Sequence, residues 1–237
     1  MRAVIVLSGD IRDDRRAKIL IDRADRMLAA DGGTRHLRRL NIRPDALVGD
    51  LDSIAKDDLD WIENKKIPVR KYPSEKDETD SELALNMLMD DLPGSPGDHQ
   101  IIVLGAFGTR PDHVLANQLL AARLSGQGWR LILSDGRSDL YTLAGGQSLN
   151  LDLADFGPQP LAVSVLPVSA QVKGLTYKGL KYPLVKADLA LGSTRGISNE
   201  PRTGPDGDGK EKTGHDLSPV CVSLDQGLAL LIITPRV

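Results

Sequence analysis

The sequence has little of what several classes of protein require. Its 237 residues contain one cysteine, Cys221, which excludes internal disulfides and cysteine-rich zinc sites. Two phenylalanines, four tyrosines and two tryptophans are too few to build a surface on which nucleic-acid bases stack. Lysine and arginine number 30 against 33 aspartates and glutamates, and the net charge of −3 argues against a nucleic-acid partner bound through bulk electrostatics. The four histidines are scattered and never take the spacing of an HExxH metal site.

Long hydrophobic runs are also missing. No apolar run reaches the ~18 residues that a membrane-spanning helix needs. The run nearest the amino terminus, Ala3–Leu7, is shorter than the hydrophobic region of a signal peptide and indicates a buried strand instead. Together with the single cysteine, these absences predict a soluble, cytoplasmic protein with no membrane partner.

The sequence does contain a regular alternation over its first 140 residues. Short apolar runs predict buried strands, and apolar residues at helical spacing between them predict helices. Strands that alternate with helices indicate an α/β domain with a mostly parallel sheet, which we assign to residues 1–140. The predicted strands are 3–7, 27–30, 46–48, 67–70, 101–104 and 129–133, and the predicted helices are 34–40, 57–66, 80–92 and 113–125.

Helical periodicity disappears after about residue 140. Residues 161–165 alternate with period two, and glycine or proline turns recur about every ten residues. This pattern predicts a second domain, residues 141–237, built as an antiparallel β-sandwich. The glycine- and serine-rich residues 136–148 are interpreted as the join between the domains. Residues 201–216 have four glycines, seven charges and no aliphatic side chain, and they are predicted to form a surface loop.

The strongest local motif follows the predicted strand 46–48. It reads Gly49-Asp50-Leu51-Asp52-Ser53 and places two carboxylates one residue apart on a loop that leaves a strand. Ligands of open α/β sheets bind beyond the carboxyl ends of the strands, and paired carboxylates suit Mg²⁺. The alternative is an ordinary turn in which Ser53 is the N-cap of the following helix.

A second acidic motif, Asp77-Glu78-Thr79-Asp80, precedes the predicted helix 80–92. A capping box with Thr79 as N-cap and Glu82 three residues later explains most of it, and Asp80 suits the positive end of the helix. The capping box leaves Asp77 without a role. If this segment faces the first acidic motif, like charges ~4 Å apart cost about 4 kcal/mol per pair at an effective dielectric of 20, so the cluster requires a cation.

A third motif, residues 105–113, ends a strand and opens a helix. Its two glycines permit a close backbone approach, the helix start favours an anion, and Arg110 adds a positive charge suited to phosphate. The alternative is a simple strand-to-helix turn with Pro111 in the first helical position. His113 is open to interpretation as a general base, a ligand or a structural hydrogen-bonder, and the last is favoured.

Two weaker motifs complete the set. Asp31-Gly32-Gly33 follows another predicted strand and brings two further glycines to a strand exit. Ser198-Asn199 lies in a segment of small polar side chains, residues 195–200, which suits a neutral ring as a ligand and equally suits a turn.

Taken together, these motifs resemble those of the thiamine pyrophosphokinase family. Any one of them is weak, but seven occur in the family's order between about residue 30 and residue 200. They are Ala30–Gly33, Pro44-Asp45 leading to Gly49–Ser53, Asp77-x-Thr79-Asp80, Leu104–His113, Leu115–Asn117, Gly179–Leu184 and Gly196–Glu200.

The resemblance implies a fold, a reaction and an assembly. It implies an amino-terminal α/β domain that holds ATP, a carboxyl-terminal β-sandwich that binds thiamine, and a homodimer whose active site is shared between subunits. The implied reaction transfers the terminal pyrophosphoryl group of ATP to the hydroxyethyl oxygen of thiamine, gives thiamine diphosphate and AMP, and depends on Mg²⁺.

The resemblance also implies roles for individual residues. The implied Mg²⁺ ligands are Asp50, Asp52, Asp77 and Asp80, and the implied catalytic residues are Asp50, Asp52, Asp80 and Arg110. The implied residues of the nucleotide site are Asp31, Gly32, Gly33, Thr79, Gly108, Asp112 and His113. Ser198 and Asn199 are expected to contact thiamine. No tryptophan lies near Ser198 in the sequence to stack on thiamine, and Tyr177 and Tyr182 are the substitutes nearby.

Three other functions compete with this one. The same ATP site could serve a pterin alcohol as acceptor, although the segments around Tyr182 and Ser198 favour thiamine. A phosphatase or sugar transferase could use Asp50 and Asp52, but the haloacid-dehalogenase type usually carries such a pair after its first strand, where this chain has Ser8-Gly9-Asp10. A thiamine-binding protein without catalysis would not need the clustered aspartates.

Overall fold

The chain folds into two compact units, seen in a computed structural model that describes residues 1–52, 54–72, 77–202 and 219–236. The first unit comprises Met1–Ala121 and Trp129–Gly136, and the second comprises Ala122–Gly128 and Arg137–Val237. The first unit thus ends shortly before the predicted domain boundary at residue 140. Ser53 and all but two residues of the predicted loop 201–216 lie outside the described residues.

The described part of the first unit contains a parallel sheet of six strands. In three of these strands the last four of five residues are buried, and consecutive buried residues are typical of parallel strands covered by helices on both faces. The strands are β1 (Arg2–Val6), β2 (Arg26–Ala30), β3 (Ala46–Gly49), β4 (Val69–Lys71), β5 (Gln100–Leu104) and β6 (Arg130–Ser134). Each lies within about two residues of a strand predicted from the sequence.

The helices occupy the connections between these strands. They are α1 (Asp14–Asp22), α2 (Thr34–Leu40), α3 (Lys56–Asn64), α4 (Asp80–Asp90) and α5 (Pro111–Gly126), whose last residues belong to the second unit. The predicted N-cap of α4 is confirmed, because the Thr79 side chain accepts a hydrogen bond from the Glu82 backbone nitrogen at 3.2 Å. No described helix is long and apolar enough to cross a membrane.

Helix α1 was not predicted from the sequence. Its buried face combines Ala17, Leu20 and Ile21 with Arg16, whose guanidinium donates to the Gly136 carbonyl at 3.1 Å. A buried arginine interrupts the apolar stripe from which helices are recognised in a sequence.

The strand order of the sheet determines where a ligand can bind. In the order β4-β3-β2-β1-β5-β6, β1 lies between β2 and β5 and pairs in parallel with both. The next three strands, β2, β3 and β4, therefore lie on one side of β1. The chain then crosses over, and β5 and β6 lie on the other side. In an open parallel sheet this reversal opens a crevice at the carboxyl ends of the two central strands.

The second unit is built from antiparallel strands in two sheets. In one of them this unit's strands are the neighbours β7, β13 and β9, and the other has the order β11-β10-β12-β8. Their inward side chains form one apolar core that includes Leu143, Val163, Leu175, Val222 and Leu231. The strands are β7 (Asp139–Ala144), β8 (Ser148–Leu151), β9 (Leu161–Pro167), β10 (Gln171–Lys178), β11 (Ala187–Ala190), β12 (Val220–Ser223) and β13 (Leu228–Pro235). The predicted β-sandwich is confirmed.

The interpretation of residues 136–148 as a join was wrong for most of their length. Residues 139–144 form β7, which pairs with β13 from Asp139 opposite Ile233 to Ala144 opposite Leu228. Leu140 and Leu143 are buried there, so the segment belongs to the sandwich core. The nearby glycines and serines concealed this short strand.

Candidate functional site

Three predicted motifs of the first unit follow strands of one sheet at the same edge. Asp31-Gly32-Gly33 follows β2, Asp50 and Asp52 follow β3, and residues 105–110 follow β5. Because parallel strands end at a common edge, the strand-exit motifs face one region. Asp80 is the first residue of α4, and Asp77 lies three residues before it.

A cavity of about 400 Å³ lies where the strand order reverses. The loops after β1 and β5 form much of its lining, together with the first turns of α5, Gly32, Arg35 and Ser81. Of the residues that the family resemblance assigns to ATP or to catalysis, Gly32, Gly108, Arg110 and His113 line this cavity. Its place at the reversal point matches the general position of ligand sites in open α/β sheets.

Asp31 holds the loop that carries Asp50 and Asp52. Its buried side chain accepts a hydrogen bond through Oδ1 from the Leu51 backbone nitrogen at 3.2 Å. Gly49 makes room for this carboxylate, because a Cβ at that position would lie 1.7 Å from Asp31 Oδ1. Asp31 thus holds the acidic loop in place. A direct contact of Asp31 with a nucleotide stays a prediction.

The acidic loop itself has an unusual backbone. Leu51 has a φ of 72°, a left-handed conformation that non-glycine residues rarely adopt outside functional sites. Asp50 Oδ1 accepts the backbone N–H of Asp52 at 3.1 Å, which tightens the turn. Both carboxyl groups are at least partly accessible, Asp52 being exposed and Asp50 half-buried.

Tyr72, which sequence reasoning missed, lies among these carboxylates. It follows the edge strand β4, and its hydroxyl donates towards Asp80 Oδ1 at 3.5 Å. Burial raises the pKa of the Tyr72 hydroxyl, and the negative charges of Asp31, Asp80 and Asp50 raise it further. Asp31 and Asp50, at the exits of β2 and β3, and Asp80, at the start of α4, thus all raise the pKa of one phenol, whereas the expected convergence of Asp52 and Asp77 with them stays a prediction.

The fit of this region to Mg²⁺ depends on the donors present. Among the described residues, no three aspartate, glutamate, histidine or cysteine side chains are grouped closely enough to hold a metal ion. Mg²⁺ in phosphate-transferring sites is typically bound by one or two carboxylates, with the remaining ligands supplied by phosphate oxygens and water. Two accessible carboxylates at Asp50 and Asp52 fit that requirement, whereas Asp77 is exposed and carries no observed contact with them.

Arg110 and Asp112 form an ion pair at the start of α5. The Arg110 guanidinium donates to Asp112 at 2.6 Å, and both side chains are mostly exposed. Hydrogen bonding from Arg110 lowers the pKa of Asp112 to about 2. Asn117, one helical turn further on, donates to the Ala106 carbonyl at 3.0 Å and so holds the loop after β5. Asn117 ends the matched motif Leu115–Asn117, for which the family resemblance implied no role.

Ser198 and Asn199 occupy contrasting positions in the second unit. Ser198 is exposed and has a left-handed φ of 60°, while its backbone nitrogen donates to Ser164 Oγ at 3.0 Å. Asn199 is 5% exposed, and its amide accepts from the Tyr182 nitrogen at 3.0 Å and donates to the Tyr182 carbonyl at 2.7 Å. Asn199 therefore ties the segment that follows Ser198 to the backbone of Tyr182, and its expected contact with thiamine stays a prediction.

The aromatic residues differ in their availability to a ligand. Tyr182 is 58% exposed and adjoins Asn199, whereas Tyr177 is buried in the sandwich core. Trp129 stacks on His99 with ring centroids 6.0 Å apart in the first unit. Tyr182 is thus the better placed of the two tyrosines that the sequence offered.

Comparisons with known proteins agree across sequence and structure. Residues 17–133 match the family model described as "Thiamin pyrophosphokinase, catalytic domain", and residues 158–205 match "Thiamin pyrophosphokinase, vitamin B1 binding domain". Thiamine pyrophosphokinase of Bacillus subtilis is 31% identical over 73% of this chain and 77% of its own length. Thiamine pyrophosphokinase 1 of Oryza sativa is 26% identical over 83% of this chain and 79% of its own.

Solved structures give the same result for the fold. The crystal structure of thiamine pyrophosphokinase from Bacillus subtilis superposes with a TM-score of 0.77 at 26% identity and covers both chains fully. Thiamin pyrophosphokinase from Candida albicans superposes with a TM-score of 0.73 over 98% of this chain and 90% of its own. At 17% identity, this second likeness concerns the fold alone.

Proposed function

We propose, because this chain belongs to the thiamin pyrophosphokinase family, that it transfers the terminal pyrophosphoryl group of ATP to thiamine in a Mg²⁺-dependent reaction. In this reaction the hydroxyethyl oxygen of thiamine bonds to the β-phosphorus of ATP, and the bond from that phosphorus to the α,β-bridging oxygen breaks. The hydroxyl loses its proton, and AMP leaves as thiamine diphosphate forms.

The observation that carries this proposal is the pairing of a cavity with an acidic region at one edge of the sheet. The cavity at the reversal between β1 and β5 is suited to a nucleotide, with Gly108 and Arg110 in its lining. The hydroxyl of Tyr72 donates towards Asp80 Oδ1 at 3.5 Å, and the negative charges of Asp31, Asp80 and Asp50 add to burial in raising the pKa of Tyr72. Transfer between phosphate and alcohol depends mainly on positioning and on neutralising charge.

Asp50 and Asp52 are proposed as the Mg²⁺ ligands because they are accessible neighbours on one loop, and Asp77 and Asp80 are added on the family resemblance alone. The ion would supply neutralisation of the phosphate charge and a fixed geometry for the transferred group. Asp31 keeps the loop of Asp50 and Asp52 in its strained conformation, and Arg110 offers a cation to the phosphates from the start of α5. Thr79, Gly33, Asp112 and His113 complete the proposed nucleotide surroundings.

Thiamine is proposed to bind the second unit beside Ser198. The hydroxyl of Ser198 is exposed on a backbone that Asn199 and Ser164 hold in place. Tyr182, exposed next to this turn, is the proposed stacking partner of the thiamine ring.

We further propose that the enzyme is a cytoplasmic homodimer whose active site is shared between subunits. Leu115 and Leu119 lie one turn apart on α5 and are 55% and 50% exposed, which gives this helix an apolar stripe suited to a second copy of the chain. A single cysteine is in keeping with a reducing compartment.

The test is product analysis with ATP, thiamine and Mg²⁺, in the presence and absence of EDTA. Equal amounts of AMP and thiamine diphosphate, formed only when the metal is present, support the proposal. ADP as the product would mean ordinary phosphoryl transfer. Thiamine binding without turnover would indicate a binding protein, and turnover with a pterin alcohol but not with thiamine would change the acceptor.

A further inference from the structure

The segment Ser8-Gly9-Asp10 forms a wall of the cavity and has no role in the proposed reaction. Its backbone donors face the loop after β5, since Gly9 N donates to the Gly105 carbonyl at 3.0 Å and Asp10 N to the Phe107 carbonyl at 2.5 Å. The approach is so close that a Cβ on Gly9 would lie 2.1 Å from the Phe107 carbonyl oxygen. Only glycine fits at this position.

Helix α2 holds the carbonyl groups of the same segment. His36 Nε2 donates to the Gly9 carbonyl at 2.7 Å, and the Arg35 guanidinium donates to the Ser8 carbonyl. The peptide groups of this wall are therefore fixed through their N–H groups by one loop and through their carbonyls by one helix.

The chemistry around His36 determines its protonation. A carbonyl oxygen can only accept, so Nε2 carries the hydrogen, and Nδ1 lies 3.5 Å from Arg39 Nη2 and accepts. The ring is 7% exposed. Burial lowers the pKa of His36, and the charges of Arg35 and Arg39 lower it further. His36 is thus a neutral donor to the wall and is not itself among the residues that line the cavity.

The consequence follows from the freedom of glycine. Without His36, the Asp10 N–H bond to the Phe107 carbonyl is the contact that still holds this peptide group, and glycine places few steric restrictions on a rotation that breaks it. A carbonyl dipole turned into the cavity would present its negative end to the phosphates of a nucleotide.

We propose that His36 is a positioning residue for ATP: by holding the Gly9 carbonyl it keeps the Ser8–Asp10 wall in the shape that binds the nucleotide, and it does not touch the nucleotide itself. The identity of the ligand rests on the proposed function, whereas the role of His36 in shaping the wall rests on the contacts of Gly9.

The test compares His36 with His99, the other buried histidine among the described residues. His99 is 3% exposed and donates from Nε2 to the Pro93 carbonyl at 2.6 Å, away from the cavity. The variants are His36→Leu, His36→Gln and the matched control His99→Leu. For each, the KM for ATP, the KM for thiamine and kcat are measured, and ATP is titrated by calorimetry.

His36→Leu is expected to raise the KM and Kd for ATP about tenfold, with the KM for thiamine changed less than about twofold. His36→Gln, whose amide nitrogen can take the place of Nε2, is expected to restore most of the ATP affinity. His99→Leu is expected to lower the melting temperature and leave the ATP affinity unchanged.

An unchanged ATP affinity in folded His36→Leu, or an equal rise in the KM of both substrates, would overturn the proposal. If His36→Leu does not fold, His36→Gln is compared with His36→Asn, whose shorter amide does not reach Gly9, and equal ATP affinities would overturn it as well. A wild-type enzyme that binds ATP but makes no thiamine diphosphate would reject the proposed function and leave the His36 comparison valid.

Discussion

Leu51 carries a conformational cost in the acidic loop of the candidate site. A non-glycine residue in the left-handed region costs on the order of 1–3 kcal/mol and persists only when its surroundings impose it. Here the buried Asp31 carboxylate accepts the Leu51 N–H and so imposes it. The two aspartates that flank Leu51 are at least partly accessible.

Replacing either of these aspartates tests their proposed role. Asp50→Asn and Asp52→Asn are expected to reduce turnover on the order of 100-fold or more, because an amide is a poor ligand for Mg²⁺. The melting temperature is expected to stay unchanged, since neither carboxyl group is fully buried. Asp57→Asn, an exposed acid on α3, serves as the control, and near-normal turnover in both site variants would remove the metal assignment.

The ion pair between Arg110 and Asp112 predicts how the Asp112 carboxyl group titrates. Hydrogen bonding from Arg110 lowers the pKa of Asp112 to about 2, so Asp112 stays charged until the pH falls well below the usual aspartate range. In Arg110→Met the pKa is expected to rise towards 3.8, as NMR titration of the Asp112 carboxyl carbon would show.

The contribution of the Arg110–Asp112 pair to folding stability depends on pH, and the direction follows from the lowered pKa. Because its pKa is depressed on folding, the contribution of Asp112 to stability is present above pH 3.8 and lost as the pH falls towards 2. The contribution is small, since both side chains are exposed. An Asp112 pKa that does not respond to Arg110→Met would contradict the pairing.

At the scale of elements, helix α4 depends on one side chain at its start. Thr79→Ala is expected to lower the free energy of unfolding by about 1 kcal/mol, because the N–H of Glu82 then loses its partner. Thr79→Ser keeps the hydroxyl and is expected to stay close to wild type. Urea denaturation of the three proteins measures both effects, and equal stability of Thr79→Ala and Thr79→Ser would show that the cap contributes nothing.

Elements were predictable from the sequence where a single pattern dominated. The cap at Thr79, the buried runs of β1 and β5 and the exact span of α2 could be predicted because local spacing and apolar content agreed. Helix α1 could not, since Arg16 occupies its buried face. Strand β7 could not, since its partner β13 lies about ninety residues away and its neighbours resemble a linker.

At the scale of the whole molecule, the proposed dimer makes a prediction of its own. Co-expression of Asp50→Asn chains with Ser198→Trp chains gives mixed dimers in which one of two shared sites is intact. Random pairing is then expected to restore about a quarter of wild-type turnover. Each variant alone serves as the control. Turnover no higher than the controls, in a preparation shown to contain mixed dimers, would place each site within one chain.

The candidate site as a whole was only partly predictable. The acidic motifs and the glycine loops could be found, because strand exits are marked by local composition. Tyr72 and the Ser8–Asp10 wall could not, since their roles depend on which strands are neighbours. Tyr72 comes close to the acidic loop because β4 lies beside β3. The Ser8–Asp10 wall meets the loop after β5 because β1 pairs with β5. Strand order is set by long-range pairing that local patterns do not record.

The central place of β1 has a consequence for biosynthesis. Arg2 of β1 pairs with Gln100 of β5, which lies 98 positions later in the chain. On the ribosome, the strand is therefore made long before one of its two partners, and its apolar edge stays open until β5 emerges. Throughout that interval the nascent chain exposes an aggregation-prone strand, so chaperone demand during translation is expected to fall once residue 104 has left the exit tunnel.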